Sequence, residues 1–281
     1  MTSRVAIIGA TGKMGQLAAR LVHETDGFEL VAELDSSSAL EQMLGVDGAK
    51  TDIAIDFTHP GVSPGVVDFA LEHGLSVLVG TSGWSADAVA TLSRRVDALG
   101  TDAAVLIVPN FSVGSVLGTA LSTLAARFFD SIEIIEAHHA GKIDSPSGTA
   151  VRTAERIAEA RGLLGPVEAP HTDQRARGQK VDGIPIHSLR LSGLLARQEV
   201  ILGGVGETLT VRHDTLSSSS YEQGIVLALR ALPGLSGVTV GLDGLLNLGL
   251  PDAASPIAPL GDAADAEAVA GGVASAAGSA L

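Results

Sequence analysis

Arg4-Val-Ala-Ile-Ile-Gly9-Ala-Thr-Gly12-Lys-Met-Gly15 is the stretch that decides the fold. Its first half is an unbroken apolar run, as expected of a parallel strand buried on both faces. Gly9, Gly12 and Gly15 then form G-x-x-G-x-x-G, and Leu17, Leu21 and Val22 follow at helical spacing. Leu30-Val-Ala-Glu-Leu-Asp35 is a second strand, and its acid stands 20 residues after Gly15. Together these make a βαβ unit with a glycine-rich first turn. Glycines there let the backbone approach a pyrophosphate, and Asp35 could accept hydrogen bonds from a ribose diol. The plain alternative is a glycine turn that only packs a helix on a strand, since the spacing is not G-x-G-x-x-G. An acid at position 35 disfavours a ribose 2′-phosphate by repulsion, and Lys13 could offset that.

Working outward, the alternation continues. Ile53–Phe57, Ser76–Gly80 and Ala104–Val108 read as strands, and Val62–His73 and Ser85–Leu99 as helices, the latter with a serine cap. Strands alternating with helices imply a doubly wound parallel sheet of Rossmann type. Its ligands bind at the carboxyl ends of the strands, where Asp56-Phe-Thr58, Gly80-Thr-Ser-Gly83 and Pro109-Asn-Phe111 fall. Trp84, beside them, could wall a nicotinamide site or simply pack. After Asn110 the pattern changes: Val113–Phe129 reads as a helix, 162–183 as a loop, and Ile186–Leu191, Gln198–Leu202 and Thr208–Val211 as strands at hairpin spacing. This second region is α+β, with a mixed or antiparallel-leaning sheet. Tyr221–Leu232 is helical again and Val238–Gly241 is a short strand.

Within that region Glu136-Ala-His-His-Ala-Gly-Lys-Ile-Asp-Ser-Pro-Ser-Gly-Thr-Ala150 gathers two histidines, a lysine and two carboxylates. Ser131–Glu136 reads as a strand. Ser147 is a good N-cap for a helix through Ala150, Val151, Ala154, Ile157 and Ala158. Free amides at such a helix end suit a small anion. Groups that move protons therefore sit on a strand-to-helix crossing that could also grip a carboxylate. The bland readings are a polar loop and a solvated Lys142–Asp144 pair, worth little. For both histidines to serve one site the chain must bend near Ala140-Gly141. Glu136-x-His138-His139 lacks the spacing of a helical zinc site, so no metal is expected. His187 and His213 lie in strand-like runs and read as structural.

Composition bounds the partners. Lys and Arg number 18 against 32 Asp and Glu, a net charge of −14, which repels nucleic acid and anionic lipid. There is no cysteine, so disulfides and thiolate metal sites are excluded. The absence of a signal-like start or a long apolar run fits a cytoplasmic protein. The last 31 residues, from Pro251, hold 12 alanines and four acids without Lys or Arg, and are expected to form a disordered or loosely helical tail.

Gly9-Ala-Thr-Gly-Lys-Met-Gly15, Asp56-Phe-Thr58, Gly80-Thr-Ser-Gly83, Pro109-Asn-Phe111 and above all Glu136-Ala-His-His-x-x-Lys-x-Asp-x-Pro-Ser-Gly-Thr-Ala150 resemble the dihydrodipicolinate reductase family, in order, over residues 4 to 250. Val181–His187 and Gly206–His213 extend the likeness. The resemblance implies NADH- or NADPH-dependent reduction of 4-hydroxy-tetrahydrodipicolinate to tetrahydrodipicolinate, in the diaminopimelate and lysine pathway. It implies a dinucleotide-binding domain over 1–111 completed by 217–250, and a substrate-binding and oligomerisation domain over 112–216, assembling as a homotetramer. By the same resemblance Gly9, Ala10, Thr11, Gly12, Lys13, Met14, Asp35, Gly80, Thr81, Ser82, Val108, Pro109, Asn110 and Phe111 contact cofactor. His138 is the catalytic proton donor or acceptor and Lys142 the proton donor, while His139, Gly148 and Thr149 hold substrate. Val108, Ser82, Ser145 and Gly141 depart from the family's usual residues; the last removes local bulk or charge beside the histidines. Another two-domain NAD(P)-dependent dehydrogenase, or a dinucleotide sensor without catalysis, are the rival readings. A sensor has no need of clustered proton donors.

Overall fold

The computed structural model describes residues 2–45, 50–171 and 173–248. The alanine-rich tail expected after Pro251 lies outside them. Six strands form one parallel sheet: β1 (Ser3–Ile8), β2 (Phe28–Leu34), β3 (Ile53–Asp56), β4 (Ser76–Val79), β5 (Ala104–Ile107) and β11 (Gly237–Val240). Their spatial order is β2-β1-β3-β4-β5-β11. Successive residues of β1 point to opposite faces, so Val5 and Ile7 enter one core and Ala6 and Ile8 the other. On the first face lie α1 (Lys13–Glu24) and α6 (Glu222–Ala231), through Ala18, Leu21, Val22, Ile225 and Leu229. On the second lie α2 (Ser63–Glu72) and α3 (Ala86–Leu99), through Val67, Leu71, Leu92 and Val96. This is the doubly wound sheet that the alternating pattern predicts. Its order reverses between β1 and β3, which opens a crevice at their carboxyl ends.

The glycine turn sits at that crevice. Gly9 has φ +84°, and a Cβ there would run into the Phe57 carbonyl at the end of β3. A Cβ on Gly15 would strike the backbone of Gly9 and Ala10. The two glycines thus let α1, β1 and β3 approach each other as closely as they do.

The second sheet has the order β10-β9-β6-β8-β7. Its members are β6 (Ser131–His139), β7 (Gln179–Val181), β8 (Ile184–Leu191), β9 (Ala196–Gly204) and β10 (Glu207–Thr215). β6 runs parallel to β8 and antiparallel to β9, so the sheet is mixed. One face packs on α5 (Gly148–Arg161), burying Ile132, Ile134, Val200 and Leu202 against Ala150, Ala154 and Ile157. Next to α5 runs α4 (Val113–Ala125). A short α7 (Asp243–Leu246) ends the described chain.

Two expectations are corrected. The helix read as reaching Phe129 ends at Ala125, because the carbonyls of Ala126 and Phe129 are taken by the buried Arg161 guanidinium instead of by a further turn. The loop read over 162–183 contains β7, an edge strand joined to β8 by Asp182-Gly183, both at positive φ (46° and 87°), the conformation of a two-residue hairpin turn. The strands of the second sheet are also longer than their apolar runs. No helix among the described residues is long and apolar enough to cross a membrane.

Gly224 of α6 packs its Cα against the Phe111 carbonyl so closely that a Cβ would overlap it. Gly224→Ala should therefore cost about 1–3 kcal/mol, read from the denaturant midpoint. Gly65→Ala in α2, where a Cβ meets nothing within 4 Å, should leave stability unchanged or raised.

Candidate active site

Two adjoining cavities of about 410 and 500 Å³ lie where the carboxyl ends of β4 and β5 meet β6 and the start of α5. Both are in the size range of small-molecule sites. Pro109, Asn110, His138, Lys142, Ser147 and Thr149 line both, so they form the wall between two lobes of one cleft.

The pieces of that wall are built locally. β6 carries His138 and His139 at its end. A turn then closes through the Lys142 amide to the His139 carbonyl at 3.1 Å, which bends the chain as the Ala140-Gly141 pair allows. Both histidines and Lys142 consequently reach the first lobe despite the strand's alternation. Ser147 caps α5, its hydroxyl accepting from the Ala150 amide at 3.3 Å. Gly148 and Thr149, the first residues of α5, face the second lobe, and Thr149 faces the first as well. From the parallel sheet, Met14, Gly80, Val108 and Phe111 reach the first lobe, and Thr81 and Ser82 the second. Gly80 is squeezed between Phe57 and Phe111, whose rings are 5.6 Å apart and which a Cβ would strike.

Gly9, Ala10, Thr11, Gly12, Lys13 and Asp35 do not line either lobe; they lie along the same edge of the sheet, and Met14 joins that edge to the cleft. The amides of Gly9 and Ala10 both donate to the Leu34 carbonyl, at 2.8 and 3.0 Å, which pins the turn beside Asp35. Gly12 is the N-cap of α1 and offers no side-chain cap, so the first amides of the helix have no side-chain partner there. Asp35 Oδ1 accepts from the Ser37 amide and from the hydroxyls of Ser37 and Ser38, at 2.7–3.0 Å, and these bonds, the Ser37 hydroxyl's first, hold its carboxyl below the usual range. A donor set of bare helix amides beside a fixed carboxylate fits a pyrophosphate followed by a ribose diol.

Charge at the cleft is organised by Glu136, which has no exposed surface. Its Oε2 lies 2.6 Å from His138 Nδ1 and 3.0 Å from Arg190 Nη1; its Oε1 accepts from Arg190 Nη2 at 3.0 Å and the Ser147 amide at 3.2 Å. Burial alone would push this carboxyl up. Hydrogen bonds from His138, Arg190 and Ser188 outweigh it and bring the carboxyl down to about 2. Arg190 also donates to the Asp144 carbonyl at 2.6 Å, tying β8 to the loop that bears Lys142. Among the described residues no three His, Asp or Glu gather as metal ligands.

Lys142 Nζ lies 2.7 Å from Asp144 Oδ1, the ion pair that the bland reading of this loop supposes, but the lysine also faces both lobes. The pairing lowers the Asp144 carboxyl, through the Lys142 hydrogen bond first. Asn110 donates to Ser115 Oγ at 3.0 Å and reaches Thr149 Oγ1 at 3.5 Å, linking the β5 loop to α5 across the cleft. His213 lines the first lobe, half-buried against α4, with Ser112 Oγ at 3.2 Å; burial lowers its basicity, in keeping with a packing role. Trp84 donates to Ser63 Oγ at 3.1 Å and packs on the second core, and it also borders the second lobe.

Sequence reasoning missed Gln198 and Tyr221, which line the first lobe, and Arg190, which holds Glu136; it counted Glu136 among the carboxylates of the motif and as a possible metal ligand, without its partner. Glu136 had a signal: it stands two residues before His138 in a strand, and so on the same face. Arg190 had none, because it meets Glu136 only through the parallel register that sets His138 opposite Arg190.

Comparison with known proteins agrees with this geometry. Residues 3–111 match the family model described as "Dihydrodipicolinate reductase, N-terminus", and residues 114–246 match its C-terminal counterpart. The 4-hydroxy-tetrahydrodipicolinate reductase of Clavibacter sepedonicus is 57% identical, over 94% of this chain and 93% of its own. That of Nocardia farcinica is 46% identical, over 88% of this chain and 100% of its own. A dipicolinate-bound dihydrodipicolinate reductase from Paenisporosarcina sp. TG-14 superposes with a TM-score of 0.73 at 32% identity, over 87% of this chain and 99% of that one. An amine dehydrogenase from Mycobacterium smegmatis, at 11% identity and a TM-score of 0.55, shares the fold alone. With both halves matched and the cleft lying between the parallel sheet and the His-His strand, the chain belongs to the dihydrodipicolinate reductase family.

Proposed function

We propose that this chain reduces 4-hydroxy-tetrahydrodipicolinate to tetrahydrodipicolinate with NADH or NADPH, as a cytoplasmic enzyme of diaminopimelate and lysine biosynthesis. The observation that carries the reading is the convergence on one cleft of His138, Lys142 and the first residues of α5, beside the loops after β4 and β5. A substrate with two carboxylates needs donors at two places. The opening amides of α5, at Gly148 and Thr149, suit one carboxylate, and His139 or Lys142 the other.

The reaction loses the ring hydroxyl as water and adds hydride and a proton to the conjugated imine so formed. The nicotinamide, when bound, supplies the hydride. The residues that fit the dinucleotide are the turn Gly9 to Met14 with Asp35, the segment Gly80 to Ser82, and Val108 to Phe111. Protonating or polarising the ring nitrogen makes the imine a better hydride acceptor; the Lys142 ammonium can provide that charge and a proton, and His138 can take up a proton at Nε2 and pass it on. The bond from Nδ1 to Glu136 leaves His138 Nε2 for this exchange. Met14, Phe57 and Phe111 give the first lobe an apolar side that favours exclusion of water.

We read residues 1–111 with 217–250 as the dinucleotide-binding domain and 112–216 as the domain for substrate and assembly. In support, β11 joins the first sheet beside β5 after the chain has completed the second. The face of the second sheet turned away from α5 carries Ile135, Leu189 and Ile201, all partly exposed, and we read it as the contact that builds a homotetramer. Localisation in the cytoplasm rests on the metabolic setting.

His138→Ala and Lys142→Ala should each lower turnover by about 100-fold or more with the fold intact by circular dichroism. Near-normal turnover in both would refute the catalytic assignment. Asp35→Ala should shift the NADPH-to-NADH ratio of kcat/KM toward NADPH by roughly tenfold, the value of one hydrogen bond to a charged acceptor; an unchanged ratio would remove Asp35 from the ribose site. Light scattering should give a mass of four chains, and Ile201→Arg should reduce it. A tetramer that survives Ile201→Arg would place the contact elsewhere.

A further inference from the structure

Glu136, a fully buried carboxylate bonded to His138, is not among the residues to which a chemical role has been given. We infer that Glu136, held by Arg190, is a positioning residue that fixes His138 in the tautomer protonated at Nδ1, so that Nε2 alone faces the substrate. This deepens the reductase reading above and rests on it for the nature of the substrate.

The geometry supports it in three ways. First, Glu136 Oε2 is 2.6 Å from His138 Nδ1, and an ionised carboxylate can only accept, so the proton of that bond sits on nitrogen. Second, the carboxylate cannot turn away. Both its oxygens are engaged by the Arg190 fork at 3.0 Å, and Oε1 also takes the Ser147 amide. Third, the same carboxylate binds three parts of the cleft together. It holds the imidazole and the amide of the residue that caps α5; through the bond from Arg190 to the Asp144 carbonyl it also holds the loop carrying Lys142. The proton-exchanging atom, the anion-binding helix end and the ammonium thus share one anchor. No bond from the described residues engages His138 Nε2, whose side chain is 17% exposed, towards the cleft.

Replacing the carboxylate by an amide gives a directional test. In Glu136→Gln the amide NH2 faces either the Ser147 N–H or the His138 nitrogen, with an Arg190 N–H on both sides and the Ser188 hydroxyl able to adapt as donor or acceptor. The Ser147 amide can only donate, whereas imidazole can move its proton. The NH2 therefore turns to His138, and the ring proton passes from Nδ1 to Nε2.

The experiment is ¹⁵N NMR of the imidazole rings in the full-length labelled protein, with His138 assigned from the signal lost in His138→Gln. At mildly alkaline pH the native protein should show His138 protonated at Nδ1 and bare at Nε2, and Glu136→Gln the reverse. Turnover of Glu136→Gln should fall by about 100-fold, with KM for the dinucleotide within about threefold of native. Arg190→Lys, which keeps the charge but loses the fork, should fall less. A native His138 protonated at Nε2 overturns the inference, and so does a folded Glu136→Gln with native turnover or an unmoved ring proton. Should Glu136→Gln fail to fold, the native spectrum and Arg190→Lys still decide it. A merely structural role would lower the melting temperature and leave the tautomer and the turnover of folded molecules as they were. The native tautomer is read without substrate, so failure of the reductase reading would appear separately, as native protein that oxidises neither cofactor with this substrate.

Discussion

A carboxylate removed from water must be matched by donors, and in this chain that requirement falls on Glu136. Leaving such a charge unmatched would cost several kcal/mol, enough to consume a large part of a domain's stability. The donors that meet it are an arginine and a serine from β8, an imidazole two residues along β6 and the amide at the cap of α5. Satisfying one buried charge thus dictates the register of two parallel strands, the rotamer of a histidine and the point at which a helix starts. The arrangement around His138 is to that extent a by-product of folding, since the groups that satisfy Glu136 are the imidazole and the start of α5.

The parallel sheet contributes a different constraint, one of close approach. Gly9, Gly15, Gly80 and Gly224 each stand where a methyl group would meet a neighbour. All four lie near the carboxyl edge of β1, β3, β4 or β5, the edge that faces the cleft. Side chains there are traded for close approach of neighbouring groups along that edge. The anchor in the second sheet works by charge, and the edge of the first works by shape.

Much of this was legible in the sequence, for physical reasons that differ from place to place. The central strands of the first sheet, β1, β3, β4 and β5, are short and apolar, so burial on both faces printed them plainly. Ser85 and Ser147 announced two helix starts because a serine hydroxyl is the ordinary partner of the amide three residues on. His138, His139 and Lys142 lie within five residues, so their meeting needed only a turn. β7 was passed over although Asp182-Gly183 is a strong hairpin signal, because Gln179-Lys-Val181 is too polar and too short to look like a strand by itself. Arg161 ending α4 from 35 residues away, and Arg190 meeting Glu136 from 54, leave no local trace at all. Contacts of that kind belong to the tertiary register and can be read only once the sheet is drawn.

The order of the strands has one more consequence. The chain leaves the first sheet after β5, builds the whole second sheet, and returns through α6 to add β11 beside β5. It crosses between the two sheets twice, once through Pro109 to Phe111 and once between Thr215 and Tyr221, and residues of both crossings border the first lobe of the cleft. Two tethers suppress twisting and leave a single easy pivot, along the line that joins them. Because that line runs beside His138, any swing of one sheet against the other would displace atoms least there and most at the outer rims.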